Sequence, residues 1–328
     1  MTPALPRLPY DEWAQAKDTL HLWCQIVGKT RLALAPRRNH WWNVPLYVAT
    51  RGLTTRRMPV AARNLEIQLD LVDHRLVACT SDGEETFELV DGLSVATFHR
   101  QFSTALERLG VVADIRPRPF GVPMTTPFAA DEHHASYDPD ATRRYLEILQ
   151  WSADVFEEFA GWSSAKTSPV HLFWHSFDLA ITRFSGARAP EMPDADPVTA
   201  EAYSHEVVSS GFWPGDQVTR YAAYYSYTAP EPSDLRDRPL APAEASWIEQ
   251  GSGSLAVLPY DAVRASADPR QALLAFLQSS YQAGASLRGW DLDGASTGWA
   301  DDWLPVPSDW LASRSNPAGA SDAGGDPA

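Results

Sequence analysis

The stretch Leu65-Glu66-Ile67-Gln68-Leu69-Asp70-Leu71 decides the fold class, because its apolar and polar residues alternate. Alternation with a period of two is typical of a strand that has one face in the core and one in solvent. Asp73-His74 then predicts a turn into a second strand at 75–80. Ser81-Asp82-Gly83 predicts a turn into a third strand at 86–90. Strands joined by such short turns pair antiparallel, so we predict an antiparallel meander.

Helical patterns lie on both sides of this meander. Apolar residues recur every three or four positions in four segments, which favours amphipathic helices. These segments run from Asp11 to about Leu34, from Ser94 to Gly110, from Asp138 to about Phe159 and from Asp268 to about Tyr281. Strand-like runs in the second half lie at Val170–Phe184, Tyr203–Phe212, Thr219–Thr228 and Leu255–Leu258. In the first run, alternation predicts a single strand with these residues on one face: His171, Phe173, His175, Phe177, Leu179 and Ile181.

We therefore predict an α+β fold that is mostly antiparallel sheet with about four main helices. The order of helix, about four strands and helix occurs twice, in a first α+β unit at 1–112 and a second at 138–311. This repetition fits two duplicated units that share one core, and it also fits a chance recurrence of a common order. Residues 113–137 are rich in proline and predict a linker. Residues 312–328 have the small and polar composition of a disordered tail.

Composition excludes several classes of function. The 328 residues carry a net charge of −15, which opposes binding to nucleic acid or to anionic membranes. The start of the chain lacks the apolar segment of a signal peptide, and no stretch reaches the ~18 apolar residues of a membrane span. We therefore expect a cytoplasmic location. Cys24 and Cys79 form no CxxC pair and are expected to be reduced core thiols.

Seven segments combine aromatic, histidine, arginine or glycine residues in unusual runs. They begin at Leu22 (LWCQIVGK), Asn39 (NHWW), Leu46 (LYVATRGLTT), Asp73 (DHRLV), Ser168 (SPVHLFWHSFDLA), Arg183 (RFSG) and Gly211 (GFWPGD). Together they resemble an uncharacterised family, domain of unknown function 5996, over about Leu8 to Trp290. The resemblance implies that the chain is one evolutionary unit. It implies no activity, because that family has no assigned function.

Sequence motifs for nucleotide binding and covalent catalysis are missing from the chain. There is no GxxxxGK[ST] and no GxGxxG after a strand, so neither phosphate-binding loop is predicted. There is no GxSxG, and neither cysteine lies in a known nucleophile motif. The sequence does not decide whether the protein is an enzyme.

Histidines in the second half are candidate metal ligands. His171 and His175 are four residues apart and would share a face of either a strand or a helix, and His205 follows some thirty residues later. Imidazole and carboxylate groups at such spacings bind Zn, Fe or Mn. The alternative is that each histidine is packed and hydrogen-bonded to a neighbour, since no HExxH or other known ligand set is present.

Aromatic residues next to polar ones predict a pocket for a small molecule. Apolar pockets with a few convergent polar groups are the usual form of such sites, although most Trp and Tyr residues simply fill cores. The aromatic clusters are Trp41-Trp42, Phe173-Trp174, Phe212-Trp213 and Tyr221 to Tyr227. The candidates for ligand binding are Asn39, His40, Trp41, Trp42, Trp174, Asp178 and Trp213. Arg51 and Arg183 end strand-like runs and are further candidates, because a guanidinium can hold a carboxylate or phosphate. A solvated charge or an internal ion pair is the alternative for each.

The leading functional hypothesis is a cytoplasmic protein whose aromatic-lined pocket binds a small organic ligand, with or without catalysis. A second hypothesis is a metal-dependent hydrolase or oxygenase that uses His171, His175 and His205; a divalent metal would then be the cofactor. A third is a non-catalytic interaction protein that uses its Pro-rich loops at 113–137 and 229–250. The sequence leaves the ligand, the cofactor and the oligomeric state open.

Overall fold

The computed structural model describes residues 4–251 and 253–292. The first half of the chain contains α1 (Tyr10–Leu34), β1 (Tyr47–Ala49), β2 (Gly52–Thr54), β3 (Met58–Val60), β4 (Arg63–Asp70), β5 (Arg75–Thr80), β6 (Gly83–Glu88) and α2 (Val95–Arg108). The second half contains α3 (Pro139–Gly161), β7 (His171–Phe173), β8 (Asp178–Arg188), α4 (Pro197–Ala202), β9 (His205–Trp213), β10 (Ala223–Ala229), β11 (Ser246–Gln250), β12 (Gly253–Pro259), α5 (Tyr260–Ala265) and α6 (Pro269–Leu287). The predicted disordered tail, 312–328, lies outside the described residues.

The predicted α+β class is confirmed. Four long helices accompany two antiparallel sheets, one ordered β1-β2-β4-β5-β6 with β3 also paired to β4, and the other ordered β11-β12-β10-β9-β8-β7. Each half has six strands where the sequence predicted about four. Several of the extra strands are only three residues long, too short for alternation to be recognised. Within the described residues, no helix is long and apolar enough to cross a membrane.

Local sequence signals explain most helix starts. The side chains of Ser94, Asp138 and Asp268 each accept a hydrogen bond from a backbone N–H in the first turn of α2, α3 and α6. In α1, by contrast, Pro9 is the N-cap and Asp11 lies inside the first turn. An acidic residue there still interacts favourably with the positive end of the helix dipole.

The prediction of one strand over Val170–Phe184 is wrong. The segment is a hairpin in which Phe173 pairs with Asp178, and residues 174–177 form the turn. Phe177 has φ +60°, a left-handed conformation that bulky side chains seldom adopt. The turn contains neither glycine nor asparagine, the residues that usually mark such a turn in a sequence, so alternation alone predicts an unbroken strand. As a result, Leu179 and Ile181 lie on the opposite face of the sheet from Phe173.

One backbone bridge joins the two sheets. Leu46, just before β1, and Leu172, in β7, exchange two N–H to C=O hydrogen bonds of 2.8 Å each. Because β1 and β7 are the edge strands of their sheets, the bridge connects the two halves of the chain. A single cluster of buried apolar side chains includes residues from both halves. Between the halves, residues 113–137 contain one short 3₁₀ turn, Phe128–Ala130, whose Phe128 is buried in this cluster.

Trp174 packs where α1 and this bridge meet. Its indole N–H donates to the Val44 carbonyl at 3.1 Å, and its own carbonyl lies 2.9 Å from His21 Nε2 in α1. Its ring lies against Gly28, where a Cβ atom would overlap the indole. Glycine inside a helix normally costs about 1 kcal/mol relative to alanine. Here the absence of a side chain allows Trp174 to contact the helix backbone.

We predict that Gly28→Ala destabilises the protein by about 1–3 kcal/mol, because the new methyl group overpacks the Trp174 contact. Gly161→Ala is the matched control. Gly161 is also helical, and no neighbouring side chain or backbone atom lies within 4 Å of the position that an alanine Cβ would occupy. Alanine there should therefore be neutral or stabilise the protein by up to about 1 kcal/mol. Urea unfolding of both variants measures the difference. Equal stability of Gly28→Ala and the wild type would show that Trp174 does not pack against α1.

Candidate functional site

The two faces of the second sheet have different surroundings. On one face, Tyr224 in β10 contacts α3, where its hydroxyl lies 2.9 Å from Ser152 Oγ and its ring meets Phe156. Strand residues alternate between faces, so Tyr225 and Tyr227 point to the other side. Both of these tyrosines line a large concavity. The helices α3 and α6 therefore build the core, and the opposite face provides the floor of a candidate site.

The concavity has a volume of about 1830 Å³, larger than the ~300–1,000 Å³ of most small-molecule pockets. Besides the sheet, several parts of the chain contribute walls, among them α1, the segment around His40–Val44, and residues 116–124. The last of these lies within the stretch predicted to be a linker. Its Phe120 is fixed to α1, because the side-chain amide of Gln25 bonds both the N–H and the C=O of Phe120, at 2.8 and 2.9 Å.

Asp178 is the acidic group in the floor of the concavity. Its side chain is only 7% exposed, and its two carboxylate oxygens accept hydrogen bonds from the Ser176 and Tyr225 hydroxyls. Gly211 lies between Ala180 and Tyr225 in register, and a Cβ atom at Gly211 would overlap the Tyr225 ring. The glycine therefore lets Tyr225 lie across β9 and reach the carboxylate.

Further hydroxyl groups continue along the floor. Thr182 Oγ1 lies 2.9 Å from Ser209 Oγ, and the Tyr203 and Tyr227 hydroxyls are 3.0 Å apart. Burial raises the pKa of Tyr227, and burial together with the neighbouring Asp178 carboxylate raises the pKa of Tyr225. Both phenols therefore stay protonated at neutral pH and remain hydrogen-bond donors.

His175 lies at the edge of the same floor. Its ring packs 5.5 Å from Phe173 and 6.1 Å from Phe120, centroid to centroid. Burial lowers the pKa of His175, and the Asp178 carboxylate opposes that shift. Desolvation is the larger cause, so a neutral imidazole near a buried carboxylate is the resting arrangement.

His40 forms a basic corner at the end of the concavity. His40 and Trp41 are both in the left-handed region, with φ +53° and +60°. His40 Nε2 lies 2.7 Å from Lys166 Nζ, and the His40 ring lies 5.5 Å from the His205 ring. Burial and the Lys166 ammonium lower the pKa of His40. The imidazole is thus neutral and accepts a hydrogen bond from Lys166.

The structure places many of the candidate residues in the concavity and others outside its lining. Those that line it are His40, Trp41, Trp42, Trp174, His175, Asp178 and Trp213. Asn39, next to His40, is exposed. Arg51 forms ion pairs with Asp70 at 2.8 Å and Asp73 at 2.6 Å. Arg183 lies in the core, donating to the Phe159 carbonyl with its guanidinium against the Phe159 and Tyr281 rings. For these two arginines, the structure shows internal contacts.

The three candidate metal ligands do not form a common site. His171 lies beside Tyr47 and Phe173, whereas His205 lies beside His40. In residues 4–251 and 253–292, no group of three or more His, Cys, Asp and Glu side chains could hold a metal ion. The hairpin explains this arrangement, because His171 is in β7 and His175 is in the turn that follows.

Sequence reasoning missed Ser209 and Thr182, and it named Tyr225 and Tyr227 only as part of the aromatic cluster from Tyr221 to Tyr227. The signals were present but weak. Alternation within Ala223–Tyr227 puts Tyr225 and Tyr227 on one face, and a glycine inside a strand, such as Gly211, often marks a close approach of another group. Neither signal says which face of the sheet is left without helices.

The pH dependence of stability tests whether His21, in contact with the Trp174 carbonyl, is buried as a neutral imidazole. Burial, and then the nearby Lys17, lower the pKa of His21 from 6.5 to about 3. Between these values the unfolded chain binds a proton that the folded chain does not, so this contribution to stability is lost as the pH falls from about 6.5 towards 3.

His21→Gln keeps an N–H donor for the Trp174 carbonyl without the titration. We predict that its unfolding free energy falls less steeply in this window, by up to about 1.4 kcal/mol per pH unit. Parallel curves for the two proteins would contradict a buried neutral His21.

Comparison with known proteins gives one match. No curated protein and no solved structure matches this chain. The sequence model of one family, described as a family of unknown function (DUF5996), matches residues 5–297. The match covers the whole of both sheets and the four long helices. The chain therefore belongs to the DUF5996 family.

Proposed function

We propose that this protein binds a small organic ligand in the concavity on the open face of its second sheet. The observation that carries the proposal is the Asp178 carboxylate, 7% exposed in the floor of an open cavity and held by Tyr225 and Ser176. Burying a carboxylate is costly unless it is well hydrogen-bonded. A carboxylate can accept about four hydrogen bonds, and these two hydroxyls leave capacity for donors from a ligand.

The chemistry around Asp178 supports a ligand with hydrogen-bond donors and a flat or apolar body. Hydroxyl, amide or amine groups would reach Asp178 and the hydroxyls of Ser209 and Tyr227. The aromatic side chains of Phe173 and Trp213, which also line the cavity, would contact the apolar part. An amine would gain most, because a hydrogen bond between charged groups is about twice as strong as one between neutral groups.

The Pro-rich loops give further support to a ligand site. Residues of the first loop between 116 and 124 line the cavity, and so do Ile248–Gln250. The latter belong to β11, so the end of the predicted loop 229–250 is a strand. Both segments would contact a bound ligand, which favours ligand binding over the use of these loops as a protein-binding surface. His175 beside Asp178 could exchange protons with a bound ligand, which is how catalysis would enter.

Tyr225→Phe and Tyr224→Phe form a matched pair that tests this proposal. The two residues are neighbours in β10, and each variant removes one phenol hydrogen bond, to Asp178 on the open face or to Ser152 on the covered face. A library of small amines, amides and polyols, screened by ligand-observed NMR, should give binders to the wild type. We predict that Tyr225→Phe weakens them about tenfold, a loss of ~1.4 kcal/mol, and that Tyr224→Phe leaves their affinity unchanged. Equal affinities for both variants, or no binders at all, would contradict the proposal.

A further inference from the structure

A second group of basic side chains surrounds Tyr47, away from the concavity. The guanidinium carbon of Arg56 lies 3.5 Å from the centre of the Tyr47 ring, and that of Arg31 lies 5.3 Å from it. The His171 ring lies 6.2 Å from the same ring. None of these four residues lines the concavity. They come from α1, from the segments around β1 and β2, and from β7, so the fold brings together two guanidinium groups and an imidazole that are distant in sequence. Burial lowers the pKa of His171 to about 3, so the imidazole is neutral.

No ion pair joins this group to an acidic side chain among the described residues. Neither Arg31 nor Arg56 belongs to any ion pair in that part of the chain. Burial lowers the pKa of Arg31, the Tyr47 side chain opposes that shift, and Arg56 and Arg38 lower the pKa further. Burial raises the pKa of Glu157 in α3, and the nearby Arg56 opposes that shift, yet the two side chains form no ion pair. A local excess of positive charge is unusual in a chain whose net charge is −15.

Two buried nitrogen atoms in the group lack hydrogen-bond partners. Arg31 is 7% exposed and His171 is 1% exposed, and Arg31 Nε and His171 Nδ1 have no partner within the described residues. The Arg31 guanidinium donates to the Thr55 carbonyl, and it also interacts with the Tyr47 side chain. A buried charge without a counter-charge costs several kcal/mol, so native proteins pair such groups. An anion would supply the missing counter-charge.

The backbone holds Arg56 in place above Tyr47. Arg56 has φ +51°, in the left-handed region. Its N–H donates to Thr54 Oγ1 at 2.8 Å, and its carbonyl accepts from Thr55 Oγ1 at 2.9 Å. The same Thr55 provides the carbonyl that holds Arg31. The two guanidinium groups are therefore positioned by one short segment before any anion binds.

We propose that Arg31 and Arg56, beside His171, bind a phosphate group, either free or as part of a larger molecule. Guanidinium groups match the oxygen atoms of phosphate in geometry and charge, and arginine is the preferred residue for this recognition. The exposed Arg56 and Arg38 give the anion access from solvent, and the buried Arg31 forms the floor. The site does not depend on the concavity, so the failure of either proposal leaves the other standing.

Arg56→Gln and Arg57→Gln provide the first test. Both arginines are exposed and adjacent, but Arg57 donates to Asn64 at 3.3 Å and takes no part in the Tyr47 group. Thermal unfolding and calorimetric titration at fixed ionic strength should show saturable binding of inorganic phosphate or of phenyl phosphate to the wild type. We expect Arg56→Gln to weaken the affinity about tenfold or more and Arg57→Gln to leave it unchanged. Saturation by phenyl phosphate alone would assign the site to the phosphoryl group of a larger molecule, and saturation by inorganic phosphate would assign it to the free ion.

Arg31→Met provides the second test. Methionine fills similar space without a charge, so this variant should lose phosphate binding and unfold at the same or a higher temperature than the wild type in phosphate-free buffer. Three results would overturn the proposal: no phosphate-specific binding at fixed ionic strength, equal losses in Arg56→Gln and Arg57→Gln, or unchanged phosphate affinity in Arg31→Met. If Arg31→Met does not fold, the Arg56 and Arg57 pair decides the matter.

Discussion

The reciprocal backbone hydrogen bonds between Leu46 and Leu172 are the contact on which the rest of the structure depends. They join the edge strands of two sheets that would otherwise each expose unpaired N–H and C=O groups. Trp174, in the β7–β8 turn, stabilises the junction by packing against Gly28 of α1 and by its hydrogen bond to the Val44 carbonyl. With this bridge in place, one hydrophobic core serves both halves of the chain, and each half provides surfaces that the other needs.

The same junction positions the two candidate sites. On one side, Trp174 in the β7–β8 turn donates to the Val44 carbonyl, at the end of the segment that contains His40 and Trp41, and both parts of the chain line the concavity. On the other side, it brings His171 next to Tyr47 and so completes the basic group with Arg31 and Arg56. Both sites contain groups that would be costly if left alone, a buried carboxylate in one and a buried guanidinium in the other. Ligands of opposite character would satisfy them.

Much of the fold could be predicted from the sequence, because alternation and helix caps are local signals. The β4–β6 meander and the starts of α2, α3 and α6 follow from residues a few positions apart. The hairpin at 170–184 could not, because its turn depends on Phe177 adopting a conformation that tertiary packing imposes. The site was predicted where aromatic residues stand beside polar ones, as at His40–Trp42 and Trp174. Tyr225 was not singled out from its aromatic cluster and Arg31 was missed, because their places depend on which face a helix leaves open and on which charges lack partners in space.

Hydrogen exchange at the Leu46 and Leu172 amides tests the central claim most directly, that the bridge makes the two sheets one cooperative unit. If it does, both amides should exchange only through global unfolding, with the same opening free energy as the central amides of β4 and β9. If the halves are instead separate units in loose contact, Leu46 and Leu172 will exchange through a local opening of lower free energy while β4 and β9 stay protected. That result would contradict the shared core and the junction that positions both sites.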